Sequence, residues 1–324
     1  FAEAGIAVRE EDGRLYPYNE DAREVAAVLT DRARRLGVEI QMNQEIQSME
    51  TLPHGGFHLF VTGSDAPVCA RKVLIATGGK SYGQFGSTGD GYRFARTLGH
   101  RIVTPVPALT GIETVEDVSL LKGVRVKATV ALYCGGRLCG QEAGEVQFRT
   151  DGLSGICVMN LSALVKPQKQ AGRSIQEAFR DYRLVLDLMP DFDAAALQDL
   201  FRPVLQFPDA QNRDLLKTLV KAPLAEAVLG RAGIAPDAPA AQLTAGQLQE
   251  IAAVLQGFTL TVRGLKGWNE AQVTAGGVSE AEVDAGHMES ALVPGLYFAG
   301  EVMEYAGPCG GYNLHYAWLT GIRA

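Results

Sequence analysis

The chain has 324 residues, 47% of them hydrophobic, with 37 acidic against 30 basic side chains and a net charge of −7. That length and apolar content can bury a large core in two domains. The negative balance and the lack of a long basic run argue against a nucleic-acid or anionic-membrane partner.

Polar residues interrupt every apolar stretch well short of a bilayer, so no transmembrane helix is expected. Five scattered cysteines without a C-x-x-C pair suggest a reducing cytoplasm. Asn19 is a candidate N-cap for a helix over 20–36, with Arg32, Arg34 and Arg35 loading its last turn and Gly37 ending it. Val38-Glu39-Ile40 then alternates as a strand, half of a β-α-β unit whose parallel partner is expected upstream. Residues 44–49, 57–62 and 68–76 are further strand candidates with hairpin turns between them. Val73-Leu74-Ile75-Ala76 is nearly all apolar, as a strand buried on both faces should be, and it ends in Thr77-Gly78-Gly79. In an open α/β sheet, ligands bind beyond the carboxyl ends of strands, where glycine lets backbone meet ligand. Residues 80–91 interleave glycines with Ser81, Ser87, Thr88 and Asp90. A linker has that composition too, but the position between a buried strand and an amphipathic helix favours a ligand loop.

Pro105 and Pro107 mark a boundary. From there to about 188, short alternating strands at 124–132, 137–139, 145–148 and 183–188 read as an antiparallel sheet or small barrel. Cys134 and Cys139 flank a Gly135-Gly136 hairpin turn. Gly152-Leu153-Ser154-Gly155 reads as a tight turn and is not a G-x-S-x-G elbow, so a hydrolase is disfavoured. Residues 194–256 are helical, 258–262 return to strand, and Ala275-Gly276-Gly277-Val278 leads back to the first domain. Gly295 to Asn313 then gives a buried strand, Gly300-Glu301, a loop, and Gly310-Gly311 opening a helix from Tyr312 to about 321. A glycine pair before a helix allows close approach, and the helix's first N–H groups and dipole favour negative charge. An ordinary glycine-rich strand–turn–helix would read the same. The five histidines show no metal-site grouping.

The ordered set Ala76-Thr77-Gly78-Gly79, Gly86-Ser87-Thr88-Gly89-Asp90-Gly91, Val273 to Val278, Gly300-Glu301 and Gly310 to Leu314 resembles a family of bacterial NAD(P)/FAD-dependent oxidoreductases. That group includes aminoacetone oxidases and bile-acid reductases. Gly13-Arg14 with Tyr16-Pro17, and Gly144-Glu145 through Phe148 to Gly155, fit it as well. The resemblance covers essentially the whole chain. Such proteins open with a Gly-x-Gly-x-x-Gly turn, whereas the one Gly-x-Gly here is Gly89-Asp90-Gly91. By comparison about one hundred residues, half of a dinucleotide-binding domain, are expected to be missing.

The resemblance implies an α/β fold, a Rossmann-like FAD-binding domain, N-terminally truncated, with an inserted β-barrel plus helical substrate domain. The FAD domain would comprise 1–104 and 271–324. The insert would span 105–270, with a barrel over 105–190, helices over 191–257 and a return strand over 258–270. It also places the cofactor. Ile46 would contact adenine, Thr77, Gly78 and Gly79 would follow the adenosine and pyrophosphate, and Gly86, Gly89 and Gly277 would line the same site. Gly300 and Glu301 would hold the ribityl–pyrophosphate region. Gly310, Gly311, Tyr312, Asn313 and Leu314 would present helix N–H groups to the flavin's N1–O2 edge, where a reduced flavin is negative. Tyr82, Glu304, Tyr305 and His315 are candidates to face substrate. Gly83, Arg149, Gly286-His287, Cys309 and His315 depart from the family's usual residues. The implied function is FAD-dependent oxidation or reduction of a small organic substrate by hydride transfer through flavin N5, with NAD(P)H-linked reduction of an activated double bond favoured. Amine oxidation, flavin binding without turnover, and an RNA-associated flavoprotein are the alternatives.

Overall fold

The computed structural model describes residues 1–11, 13–166 and 172–324. β1 (Val8–Glu11) and β2 (Arg14–Pro17) form an antiparallel hairpin. α1 (Ala22–Arg35) is capped by Asp21 rather than Asn19, with the Asp21 carboxylate accepting the Arg23 N–H at 2.9 Å. Gly37 follows in the left-handed conformation with φ 84°. Residues 38–40 are not a strand: no strand lies beside them among the described residues, and Val38 and Ile40 are exposed.

β3 (Ile46–Thr51), β4 (Phe57–Val61) and β5 (Val68–Ala70) form a three-stranded antiparallel sheet. The stretch 68–76 is therefore two strands. β5 turns back onto β4, whereas β6 (Val73–Ile75) leaves to pair in parallel with the strand at 296–298. Ile75 is buried but Leu74 is 46% exposed, so β6 covers one face and not the expected two. α2 (Asp90–Thr97) buries Tyr92, Phe94 and Ala95.

β7 (Ile102–Ala108) contains both Pro105 and Pro107. Among the described residues it pairs with one strand only, an edge position that tolerates proline. The pairing is irregular along this stretch: between Val106 opposite Ala275 and Val103 opposite Gly277, β7 carries two residues, Thr104 and Pro105, against the single Gly276. Gly276 has φ 87°, and a Cβ there would sit 2.5 Å from the Thr104 carbonyl oxygen.

The insert begins with β8 (Ile112–Thr114). β9 (Arg125–Cys134) and β10 (Arg137–Phe148) meet at the Gly135-Gly136 turn, where Cys134 pairs with Arg137. β11 (Gly152–Ser154) follows, so the expected tight turn is a short strand, and α3 (Ile156–Ser162) continues from it. Next come α4 (Ile175–Phe179), β12 (Tyr182–Asp187), α5 (Ala194–Phe201), α6 (Ala222–Arg231), α7 (Ala245–Gln256) and β13 (Phe258–Leu265). Six strands close into a barrel in the order β10-β11-β8-β13-β12-β9. Alternation along each strand sends Val130, Leu132, Leu184, Leu186, Leu260 and Val262 inward, all with no exposure. Each such side chain contributes roughly 1.5–3 kcal/mol. Phe148 and Phe258 meet edge to face with centroids 6.3 Å apart. The helices cover the barrel and share its core through Leu197, Phe201, Leu224, Val228 and Leu255.

The chain returns along β14 (Val273–Val278), which pairs with β7, then β15 (Leu296–Phe298) beside β6, and ends in α8 (Tyr312–Arg323). A second core holds Phe57, Ile75, Ala95, Leu296, Phe298, Val302 and Met303. A third, small cluster joins Ala108, Leu109, Val273 and Ala275 to Met159, Ala163, Ala306 and Cys309.

Candidate functional site

The parallel pairing of β6 with β15 puts the ends of both strands side by side. Beyond β6, Ala76 and Thr77 are exposed, Gly78 turns with φ 73°, and Gly79 is buried. Thr274 of β14 ties these ends together. Its hydroxyl oxygen accepts the N–H groups of Lys80 at 2.7 Å and Ser81 at 3.2 Å, and its own N–H donates to Glu301 Oε1 at 2.9 Å. A Cβ on Gly79 would overlap both the Glu301 carboxylate and the Thr274 hydroxyl, so the turn depends on the absence of a side chain. Burial pushes the Glu301 carboxyl above its ordinary value, opposed by the Thr274 N–H. Burial, with the nearby Glu301 charge, pushes the Tyr92 phenol up as well.

Past the turn Gly300–Val302, the loop reaches Gly310 and Gly311, with φ 117° and 91°, and α8 starts at Tyr312. Among the described residues no side chain caps this helix, so its first N–H groups and the positive end of its dipole are open. Gly310, Gly311, Tyr312 and Leu314 are all exposed. The Arg14 guanidinium of β2 lies over Gly310: a Cβ there would sit 2.9 Å from Nε. Sequence reasoning noted Gly13-Arg14 only as part of a resemblance and gave Arg14 no role. Two exposed glycines, uncapped N–H groups and a guanidinium form a cradle for an anionic, planar group, so these residues fit a flavin or a nucleotide phosphate.

The other residues singled out from the sequence divide by place. Thr77, Gly78 and Gly79 stand together at the end of β6, with Glu301 against Gly79. Gly86 closes a helical turn over Gly83–Phe85, and Gly89 precedes α2; both have positive φ. Ile46 is half-buried on β3, next to Val61 in an antiparallel register. Gly277 is packed against the carbonyls of Val302 and Met303. The Gly300 N–H is taken by the Thr320 hydroxyl at 2.9 Å, so that group is not free for a ligand. Asn313 turns back on its own loop, accepting from Gly307 N at 2.8 Å and donating to Gly307 O at 2.9 Å.

Among the substrate-facing candidates, Tyr82 holds φ 52° and donates its N–H to Trp268 O at 3.2 Å. The neighbouring Lys80 ammonium lies 5.2 Å from the Trp268 ring. Glu304 accepts the Glu280 N–H at 3.2 Å. Tyr305 stacks on Tyr316 of α8 at 4.2 Å, and the Tyr316 hydroxyl donates to Glu280 at 3.3 Å. These contacts pin the loop to α8. His315 is exposed on α8.

The fold also aligns a serine, a histidine and a carboxylate that the sequence keeps far apart. His100 Nε2 is 2.8 Å from Ser290 Oγ, and Nδ1 is 3.2 Å from Glu282. Ser290 Oγ already accepts N–H groups from Leu292 and Val293, and His100 and Ser290 are only 3% and 6% exposed, so no substrate reaches the serine. Among the described residues, no three His, Cys, Asp or Glu side chains gather to hold a metal, and no helix is long and apolar enough to cross a membrane. The five cysteines are free thiols.

The HI0933-like protein Rossmann domain family matches residues 1–324. A 3-dehydro-bile acid delta(4,6)-reductase from Clostridium scindens is 31% identical, over 100% of this chain and 77% of its own length. A ribosomal RNA dihydrouridine synthase from Haemophilus influenzae is 27% identical, over 98% of this chain and 76% of its own length. Its namesake from Escherichia coli is 28% identical, over 98% and 74%. The chain therefore belongs to the HI0933-like Rossmann-domain family, a family of bacterial FAD-dependent oxidoreductases.

Proposed function

We propose that this chain holds FAD between the Gly78-Gly79 turn and the start of α8, and reduces a carbon–carbon double bond conjugated to a carbonyl in a small organic substrate. The observation that carries the reading is the uncapped Gly310-Gly311 start of α8 beneath the Arg14 guanidinium. Such a site stabilises the negative charge that a reduced flavin carries on its N1–O2 edge. Bound FAD would supply hydride transfer at N5, with NAD(P)H as the donor.

This chain's own residues orient and shield. Arg14 and the first N–H groups of α8 would hold the ring edge, and the backbone at exposed Thr77 and half-buried Gly78 would meet the diphosphate. Thr274 and Glu301 keep the turn in shape, and the Tyr305–Tyr316 stack holds the loop closed on α8. The domain assignment follows the expected 1–104 and 271–324 for the cofactor and the insert for the substrate, with the first boundary moved from 105 to the end of β7 at Ala108, because β7 pairs with β14. The free thiols favour a cytoplasmic location.

The choice of reduction over amine oxidation rests on the relatives, one named a bile-acid reductase and two named dihydrouridine synthases. Reduction of an RNA base is the second reading, favoured by two relatives and opposed by the net charge of −7. NAD(P)H consumption by the complete flavin-loaded gene product, with a cyclic conjugated enone as probe, tests the proposal. Enone-dependent NAD(P)H oxidation is expected. Oxygen consumption with a primary amine and no response to enone would overturn it. Turnover confined to RNA, with affinity falling steeply with salt, would move the assignment to the second reading.

A further inference from the structure

We propose that Asn160 is the positioning residue through which the inserted domain sets the loop that opens α8. The inference rests on the flavin reading only for its consequence; the tie itself is in the geometry. α3 lies on β10, with Cys157 packed at Gly144 and Leu161 near Gly140. Two of its side chains reach out of the insert to accept backbone N–H groups. Ser162 Oγ accepts from Thr110, on the connection between β7 and β8, at 3.0 Å. Asn160 Oδ1 accepts from Cys309 at 2.8 Å, one residue before Gly310.

The Asn160 amide is held on both sides. Its Nδ2 donates to Glu142 Oε2 of β10 at 3.3 Å. A flipped amide would set a donor against the Cys309 N–H and an oxygen against the Glu142 carboxylate, so the two contacts fix one orientation. The Cys309 thiol donates to Gln272 Oε1 at 3.7 Å, and Cys309 packs in the same apolar cluster as Met159 and Ala163. The barrel, α3 and the loop before α8 are thus joined through one half-buried amide. A molecule that displaces Glu142 shifts Asn160, and with it the Gly310-Gly311 backbone. Thermodynamic reciprocity then requires that flavin bound at α8 alters affinity for whatever meets Glu142. Family resemblance gives no role to this position.

Three variants test the idea in the complete gene product. Asn160→Ala removes both contacts. Asn160→Asp keeps the acceptor for the Cys309 N–H and, when protonated, also the donor to Glu142. Glu142→Gln removes the charge that orients the amide. The readouts are FAD affinity by fluorescence titration, and the rate at which iodoacetamide alkylates Cys309 in flavin-free protein, followed by peptide mass analysis. Asn160→Ala should weaken FAD binding by about tenfold and speed Cys309 alkylation by a similar factor, the loss of one well-placed hydrogen bond. Asn160→Asp should behave as wild type at low pH and fall towards the alanine variant as the new acid ionises against Glu142. The titratable groups facing it are Glu142, Cys157 and Cys309, and burial pushes both thiols up, out of that pH range. A merely structural role would give no such profile. Glu142→Gln should fall between wild type and Asn160→Ala. Wild-type FAD affinity and alkylation rate in Asn160→Ala would overturn the proposal. If no form binds FAD, the flavin reading fails, while Cys309 alkylation still decides whether Asn160 positions the loop.

Discussion

Replacing Gly79 by alanine probes the joint between the two strand ends. The added methyl would fall on Glu301 Oε1 and Thr274 Oγ1, neither of which can swing freely. Displacing Glu301 breaks the bond from Thr274 N–H, worth about 1.5–3 kcal/mol when the acceptor is a carboxylate. Displacing Thr274 strands the N–H groups of Lys80 and Ser81, at about 1 kcal/mol each. Overpacking adds about 1–3 kcal/mol. With partial relaxation the total is about 3–6 kcal/mol, or roughly 6–24 °C in Tm at about 2–4 °C per kcal/mol. Gly83→Ala is the control: no atom lies within 4 Å of its Cβ position, and its φ is not positive. That variant should stay within about 0.5 kcal/mol of wild type. Urea and thermal unfolding of the three proteins read the difference directly. A Gly79→Ala variant within about 1 kcal/mol of wild type would refute the packing of Glu301 and Thr274 against this turn.

Stability should also fall on mild acidification. Burial lowers the His100 pKa below its ordinary 6.5, outweighing the pull of Glu282, so between the two values the unfolded chain binds a proton that the folded one does not. The contribution is complete above pH 6.5 and declines as pH drops through the folded value; urea midpoints from pH 7.5 to 5 should show that slope, and His100→Asn should flatten it. In the barrel, Phe148→Ala removes a fully buried ring that meets Phe258 edge to face and should cost about 3–5 kcal/mol by urea unfolding.

Much of this architecture is legible in the residues. Alternation marks the barrel strands, because one face of each is sealed against a common core. The glycine pair at 310–311 announces a helix start that can meet a ligand. Other features are not local. Residues 38–40 alternate as a strand does, yet a strand also needs a neighbour, and none of the described residues supplies one. Pro105 and Pro107 read as a boundary, but an edge strand paired on one side tolerates both, so β7 runs through them. Sequence reasoning gives Arg14 no role and does not single out Asn160, because their roles depend on contacts with Gly310 and Cys309, far away in sequence. Gly300 drew attention as a cofactor contact, while its N–H is committed to Thr320 within the protein.

The most direct test of the account is the affinity of the complete gene product for FAD, measured by quenching of flavin fluorescence, in wild type, Arg14→Ala and Gly311→Val. Gly311 sits at φ 91°, where a β-branched residue is strongly strained, and Arg14 places its guanidinium over Gly310. Saturable binding by wild type, weakened about tenfold or more by each substitution, is the predicted result. Absent quenching in wild type, or equal affinity in all three proteins, would contradict the placement of a flavin at the start of α8.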